Sequence, residues 1–456
     1  MPVFGIEGQV LSHDATYDFV VIGGGTAGLV SAHGAAGLGA RVALIERARL
    51  GGDCLNTGCV PSKSLLRSAR AMREVRDAPG VGVHPSDVRI DFAAVMERMR
   101  KRREQLARHD SEERLRAAGV DVYRGSAAFT GPRHIAVGEQ RLRFSRAVIA
   151  TGSRPSIPPI DGLADVAPLT NETIFDIDAL PRRWLIIGAG AIGCEMAQAF
   201  ALFGSDVTVT DIADRPLPRE DADASAIVRR QLERDGVRFT LGSPLTRVRR
   251  DDADAVLVAI GRTPNVEGLN LEAAGIQHSK DGVVVNDRMQ TTNPRVFAAG
   301  DIASSFKFTH AADAMARLVV QNALFFGRRR VSELVVPWCT YTFPEVARVG
   351  EISAPSITIP LGDVDRALLD DATDGFVRVH HEPGRIRGCT IVAPHAGELI
   401  GQVAAMMRTG ATLSHLSSTI FPYPTYAEGL RKAGDSWRRT LLTPTAKWLL
   451  SKYFGR

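Results

Sequence analysis

Two cysteines with four residues between them stand out in Gly51-Gly52-Asp53-Cys54-Leu55-Asn56-Thr57-Gly58-Cys59-Val60-Pro61-Ser62-Lys63. Two nearby thiols can cycle between dithiol and disulfide, or they can hold a metal. A zinc site needs more ligands, and Cys194, Cys339 and Cys389 are isolated in sequence, so no metal site is read. In a regular helix the rise between positions 54 and 59 is about 7.5 Å. That exceeds the roughly 7 Å Cα limit for a disulfide. A bridge therefore requires a break in the helix, which Asn56 and Gly58 make easy. Pro61 suits the first turn of a helix and places Cys59 near its N-terminus, where a thiolate is stabilised. Two idle reduced cysteines would fit the spacing as well. The flanking Gly-Gly and Pro-Ser-Lys favour the redox reading.

The elements that must position such a pair announce themselves as a repeat. Asp18-Phe-Val-Val-Ile-Gly23-Gly-Gly25-Thr-Ala-Gly28 is an apolar strand running into G-x-G-x-x-G. Trp184-Leu-Ile-Ile-Gly188-Ala-Gly190-Ala-Ile-Gly193 repeats it 165 positions later. Each is followed by a helix-like stretch and a second apolar strand ending in an acid, Glu46 or Asp211. Each acid lies 21 positions after the middle glycine. Glycines permit the tight turn and the close approach of backbone to a pyrophosphate, and the helix N-terminus supplies N–H donors. The acid accepts hydrogen bonds from an adenosine ribose. Two copies in matching register argue for two dinucleotides, a flavin and a nicotinamide, exchanging a hydride.

Composition bounds the rest. At 456 residues, with 45% hydrophobic and 23% charged residues, the chain is an ordinary globular protein of about three domains. Five cysteines argue against a secreted disulfide framework and for a reducing compartment, so a cytoplasmic enzyme is expected. The net charge of +5 carries no basic stripe, and no nucleic-acid partner is expected. The first 14 residues lack a basic start followed by an apolar core, so no signal peptide is read there. The stretch from Phe19 to Ala40 has no acidic residue, lysine or arginine, but its seven glycines mark it as the nucleotide turn and not a membrane span.

The cysteine segment closely resembles the redox motif of the FAD-dependent pyridine nucleotide–disulfide oxidoreductases, a family that includes dihydrolipoamide dehydrogenase, glutathione reductase and mercuric reductase. Further matches follow the family order. Ala150-Thr151-Gly152-Ser-Arg-Pro155 resembles the crossover out of the FAD domain. Ala259-Ile-Gly261-Arg-Thr-Pro-Asn265 resembles the end of the NAD domain. Val296-Phe-Ala-Ala-Gly-Asp301 resembles a second FAD contact, with Asp301 on the ribityl chain, and Thr342-Phe-Pro-Glu345 resembles the start of the interface domain. The resemblance runs from about Tyr17 to Glu428.

It implies an α/β protein with two Rossmann-like dinucleotide-binding domains and a C-terminal α+β interface domain. The implied ranges are FAD domain 1–151 and 268–335, NAD(P) domain 152–267, and interface domain 336–456. FAD would be held by Gly23, Gly25, Gly28, Glu46, Gly52, Thr151, Gly152 and Asp301. The pyridine nucleotide would be held by Gly188, Gly190, Gly193, Asp211 and Gly261. A carboxylate at Asp211 favours a free 2′-hydroxyl and repels a 2′-phosphate, so NADH is expected. Arg215 and Arg219 could receive the phosphate of NADPH. Ala191 stands where glutathione reductases carry a gating tyrosine, so no such gate is expected.

By the same resemblance Cys59 is the thiol that contacts the flavin and Cys54 the interchange thiol that attacks the acceptor. Lys63, one of seven lysines against 49 arginines, would pair with Glu195 beside the flavin. Members that act on small disulfides end in H-P-T-x-x-E from the partner subunit, where the histidine shuttles protons and the glutamate orients it. This chain reads Phe421-Pro-Tyr423-Pro-Thr-Tyr-Ala-Glu428-Gly-Leu430. Tyrosine, with an ordinary pKa near 10, is a poor proton shuttle at neutral pH. The pattern instead resembles mercuric reductase, where a phenol can help hold a soft metal near two thiolates. No cysteine follows Cys389 in this sequence, so no counterpart of that enzyme's C-terminal cysteine relay is expected, and Leu169 falls near the place of its second tyrosine. A homodimer is expected, with Tyr423 and Glu428 completing the partner's site and a small molecule or metal ion as electron acceptor.

Two stretches are shorter than the family norm. Ser243 to Ala255 lacks most of a β-meander, and Ser353 to Asp363 is clipped. The tail from Arg431 to Arg456 interleaves seven lysines or arginines with Trp437, Trp448, Tyr453 and Phe454. Thr443-Pro444 reads as the cap of a final helix. It is read as packing on the dimer body, although a basic aromatic helix also suits peripheral contact with an anionic membrane surface.

Overall fold

The structure is a computed structural model, and it describes residues 15–352 and 355–455. The first 14 residues, Ser353 and Arg456, on which parts of the sequence reading fall, lie outside the described residues. The chain divides into two compact units. One comprises 1–60, 101–154 and 262–334, and the other 61–100, 155–261 and 335–456.

The first unit is built on a seven-stranded sheet. Its order is Val120–Arg124, Val42–Glu46, Ala15–Ile22, Gln140–Ile149, His134–Val137, Ala127–Gly131, and Val296–Ala298 pairs separately with Gln140–Ile149. Four strands and Val296–Ala298 form the parallel part, and the hairpin strands after Val120–Arg124 are antiparallel. The first strand reads Phe19-Val-Val-Ile22 because it is covered on both faces, as parallel strands are. Helices Thr26–Gly37 and Thr309–Leu324 pack on each other, with Gly34 admitting Val320. The apolar core runs from Tyr17 and Phe144 to Val296 and Ile302.

The second unit holds a four-stranded parallel sheet in the order Val237–Leu241, Asp206–Asp211, Arg183–Ile187, Ala255–Val258. Between Leu241 and Ala255 no strand is interposed, which accounts for the shortened stretch noted in the sequence. It also holds a five-stranded antiparallel sheet, Pro337–Thr340, Glu345–Gly350, Arg385–Ala393, Phe376–Glu382, Ser356–Pro360. A continuous core joins Trp184, stacked on Phe200 with centroids 4.2 Å apart, to Phe343, Val346 and Val392. Helices Ala396–Arg408, Leu413–Ser418 and Glu428–Thr440 pack around the five-stranded sheet. The last helix, Pro444–Tyr453, is capped by Thr443 as the sequence indicates, but none of its side chains is buried against its own chain. Two strand–turn–helix nucleotide folds of Rossmann type thus accompany an α+β C-terminal part. Among the described residues no helix is long and apolar enough to cross a membrane.

Candidate functional site

The two glycine turns match hydrogen bond for hydrogen bond. In the first, Ala150 N–H donates to Ile22 O and Gly23 N–H to Ile45 O. In the second, Ala259 N–H donates to Ile187 O and Gly188 N–H to Thr210 O. Both closing acids clamp the turn with both oxygens. Glu46 accepts Gly24 N–H at 2.6 Å and Ala48 N–H at 2.6 Å. Asp211 accepts Ala189 N–H at 2.6 Å and Ala213 N–H at 2.9 Å. The third glycine of each turn is needed for packing, since a Cβ at Gly28 would lie 1.8 Å from Gly23 O and one at Gly193 1.9 Å from Gly188 O. The middle glycine is different. A Cβ at Gly190 would meet nothing within 4 Å, so this face of the turn is open. A turn closed behind and open in front, ahead of a helix N-terminus, fits a dinucleotide pyrophosphate.

The thiol pair is built onto the first turn. Gly52 takes φ +57°, and a Cβ there would lie 2.6 Å from Gly25 Cα, so the two backbones touch. Gly52 also opens the short helix Gly52–Asn56 that carries Cys54. That helix ends at Thr57, and a new helix, Cys59–Asp77, begins at Cys59. The break required for the two sulfurs to meet is therefore present at Thr57–Gly58. Neither thiol is in a disulfide, with Cys59 exposed and Cys54 partly so. The two share a hydrogen bond, which together with burial pushes the Cys54 thiol far above its ordinary value. Thr309, at the start of its helix, lies 3.4 Å from Cys59 Sγ.

A cation without an assigned role in the sequence reading, Arg262, lies beside this segment. Arg262, 13% exposed, donates to Ser153 Oγ at 2.7 Å and to Ser153 O at 2.9 Å. It lies 3.4 Å from Asp53 Oδ1 and 3.5 Å from Asp301 Oδ2. Ser153 Oγ donates in turn to Asp301 at 2.5 Å. Arg262 thus balances two carboxylates, one beside Cys54 and one expected at the flavin. Thr151 and Gly152 flank the same corner, Thr151 donating to Asn265 O at 2.9 Å, while Gly152 and Gly261 take φ of +66° and +151° that favour glycine.

In the second unit Lys63 Nζ bonds Glu195 Oε2 at 2.9 Å. Glu195 is 4% exposed, and its other oxygen accepts Tyr341 N–H at 2.9 Å. The Tyr341 ring lies under the ammonium, 4.6 Å from Lys63 Nζ to the ring centroid. Tyr341 was not singled out in the sequence, because nothing in its neighbourhood signals that its backbone and ring serve an ion pair 146 positions away.

Tyr423 and Glu428 line one cavity of about 370 Å³ with Ser417, Thr419, Phe421 and Arg431. They are not bonded to each other. Tyr423 Oη donates to Asp365 Oδ2 at 3.0 Å, which raises its phenol above the ordinary range. Glu428 Oε1 takes Arg431 at 3.2 Å and Lys432 at 3.3 Å, while its buried Oε2 has no partner. The glutamate therefore does not orient residue 423 as the resemblance implies. Asp365 is bonded to it instead, and was missed because an aspartate in the first turn of a helix is ordinary. Among the described residues no cluster of three or more His, Cys, Asp or Glu suits a metal ion.

Comparison with known proteins identifies the family. The family described as pyridine nucleotide-disulphide oxidoreductase matches residues 17–316, and its dimerisation domain matches 336–434. The chain is 32% identical to a mercuric reductase of Lysinibacillus sphaericus, covering 96% of this chain and 86% of that protein. It is 34% identical to a dihydrolipoyl dehydrogenase of Bacillus subtilis, covering 91% and 97%. Among solved structures it is similar to the HOCl-induced flavoprotein disulfide reductase RclA of Escherichia coli, seen as a Cu(II) complex, with a TM-score of 0.83 at 27% identity over 92% of this chain and 99% of that one.

Proposed function

Because the chain belongs to the pyridine nucleotide–disulphide oxidoreductase family, we propose that it is an FAD-dependent NADH oxidoreductase that delivers electrons through Cys54 and Cys59 to a thiophilic acceptor, in the manner of mercuric reductase. FAD, when bound, accepts the hydride of the pyridine nucleotide and passes two electrons to the cysteine disulfide. The observation that carries the reading is Gly52, which presses on the Gly25 turn and begins the helix of Cys54, so that nucleotide cradle and thiol pair are one piece of chain.

The chain's own residues then have distinct tasks. Gly23, Gly25, Gly28, Gly52, Thr151 and Gly152 shape the flavin cradle, with Glu46 and Asp301 as polar contacts. Gly188, Gly190, Gly193 and Gly261 shape the pyridine nucleotide cradle. Asp211 disfavours a 2′-phosphate, which supports NADH over NADPH. Lys63, held by Glu195 and Tyr341, supplies a fixed positive charge to balance electrons arriving near it. Cys59, at a helix N-terminus, is the thiol that settles as thiolate. Cys54 keeps its proton until the acceptor arrives.

We further assign 1–151 and 268–335 to the FAD domain, 152–267 to the pyridine nucleotide domain and 336–456 to the interface domain of a cytoplasmic homodimer. Tyr423 replaces the histidine of disulfide-reducing relatives, which supports a metal ion over a disulfide as acceptor. The test is anaerobic NADH consumption with Hg(II) buffered by excess small thiol, following release of volatile mercury. Rapid release supports the reading. Normal flavin reduction without release retains the electron-input half and overturns the metal acceptor.

A further inference from the structure

The polar chain around Tyr423 carries an inference about what the acceptor end rejects. Tyr423 is 72% exposed within its own chain, and its hydroxyl has one hydrogen-bond partner among the described residues. It donates to Asp365 Oδ2 at 3.0 Å. Asp365 stands at the start of helix Asp365–Leu369, and its Oδ1 faces Lys432 Nζ at 3.7 Å. Lys432 is anchored to Asp363 O and to Glu428 Oε1, and Arg431 holds that same Glu428 oxygen. The loop between is pinned by Tyr426, 7% exposed, whose hydroxyl donates to Asp370 at 2.9 Å. The charged groups about Tyr423 are thus Asp365 from one helix and Glu428 and Arg431 from another, with Lys432 beside Asp365. Both of the nearby cations are already committed to carboxylates, and only Asp365 takes the phenol.

We propose that Asp365 is a positioning residue of the acceptor end: by engaging the hydroxyl proton of Tyr423 it withholds that proton from a departing sulfur, and so selects acceptors that take two electrons without a proton. This rests on the reading above that Tyr423 serves the acceptor. The chemistry separates two acceptor classes. With a disulfide, an enzyme thiolate attacks one sulfur, the substrate S–S bond breaks, and the other sulfur leaves as a thiolate that must take a proton. The second enzyme thiolate then closes the Cys54–Cys59 disulfide and expels the first sulfur, so two electrons and two protons reach the substrate. With a divalent thiophilic metal ion, two enzyme thiolates become one disulfide and the ion becomes the metal, with no proton transferred. A phenol whose O–H points into a carboxylate does not protonate a leaving thiolate.

The test uses full-length enzyme, reduced anaerobically with dithionite and mixed with lipoamide as the disulfide probe, with reoxidation followed by flavin absorbance. Asp365→Ala frees the phenol and should speed reoxidation by about tenfold, the worth of one charge-assisted hydrogen bond. The gain should vanish in Asp365→Ala/Tyr423→Phe. Asp365→Asn keeps an acceptor oxygen for the phenol and should stay near wild type. A rate unchanged in Asp365→Ala, or a gain that persists with Phe at position 423, overturns the proposal. Either result leaves the electron-input reading standing, because that is tested separately, by whether NADH bleaches the flavin of the wild-type enzyme.

Discussion

Lys63 and Glu195, 132 positions apart, form an ion pair of 2.9 Å in which the carboxylate is buried and the ammonium is capped by the Tyr341 ring. Glu195 spends its second oxygen on Tyr341 N–H. One tyrosine therefore fixes both partners, the acid through its backbone and the base through its ring. Lys63 lies four positions after Cys59 on one helix, so the same helix carries a thiol at its start and a fixed charge one turn later.

Removing the acid should expose this coupling. Glu195→Ala leaves Tyr341 N–H without its acceptor and Lys63 without its counter-ion. A loss of about 1–3 kcal/mol is expected, since unpaired buried donors cost that much. Flavin reduction by NADH in stopped flow should also slow, by about tenfold or more. An unchanged melting midpoint together with unchanged reduction would show the pair to be idle.

The middle and third glycines of the second turn predict opposite phenotypes. Gly193→Ala drives a Cβ to 1.9 Å from Gly188 O and should disrupt the fold of that unit. Gly190→Ala meets no protein atom within 4 Å and should fold normally. It should nevertheless raise the KM for NADH by about tenfold or more, because the methyl enters the space where backbone approaches pyrophosphate. Circular dichroism and NADH kinetics distinguish the two, and a Gly190→Ala variant with normal KM would place the nucleotide elsewhere.

Asp211 should govern the choice of nucleotide. The wild type is expected to prefer NADH, and Asp211→Asn, which removes the charge but keeps an acceptor for the turn, should narrow the NADH/NADPH ratio of kcat/KM by about tenfold. A ratio that does not move would assign selectivity to Arg215 or Arg219 instead.

The thiols predict a pH dependence. Cys54 donates its proton toward Cys59 and is partly buried, and both effects favour its neutral form. The Cys54 thiolate therefore forms only above the ordinary thiol range in the reduced enzyme. Alkylation of Cys54 by iodoacetamide should be slow near neutrality and rise as pH increases. Cys59→Ala removes the larger cause and should bring reactivity down to lower pH. The thiolate–flavin charge-transfer absorbance should be lost in Cys59→Ser and kept in Cys54→Ser.

The final helix offers a simple control. No side chain of Pro444–Tyr453 is buried within its own chain, although the sequence suggested packing on the body of the dimer. Truncation after Leu442 should leave the melting midpoint within about 1–2 °C, as loss of exposed residues does. A larger drop that depends on protein concentration would show that a second copy covers this helix.

Much of the site was legible because its signals are local. Gly23, Gly25 and Gly28 sit on one turn, their acid follows at a constant offset, and the second copy repeats both, so backbone geometry alone makes them visible. Cys54 and Cys59 declared the helix break that joins them, because a regular helix would hold them too far apart. Lys63 and Glu195 were reached only through resemblance, since no short-range pattern links positions so distant. Arg262, Tyr341 and Asp365 stayed hidden for the same reason. Their partners, Asp53 and Asp301, Lys63 and Glu195, and Tyr423, are supplied by other elements, and an arginine, a tyrosine or an aspartate in the first turn of a helix is ordinary where each stands. Glu428 shows the converse, a motif residue in its expected place whose side chain binds Arg431 and Lys432 instead of residue 423.

The central claim is that electrons from NADH reach the Cys54–Cys59 pair. It is tested most directly by adding one equivalent of NADH to oxidised enzyme under anaerobic conditions, quenching with acid and alkylating for mass spectrometry. New alkylation at both Cys54 and Cys59, absent without NADH, is the predicted result. Bleaching of the flavin with no change at either cysteine would contradict the account and route the electrons directly from flavin to acceptor.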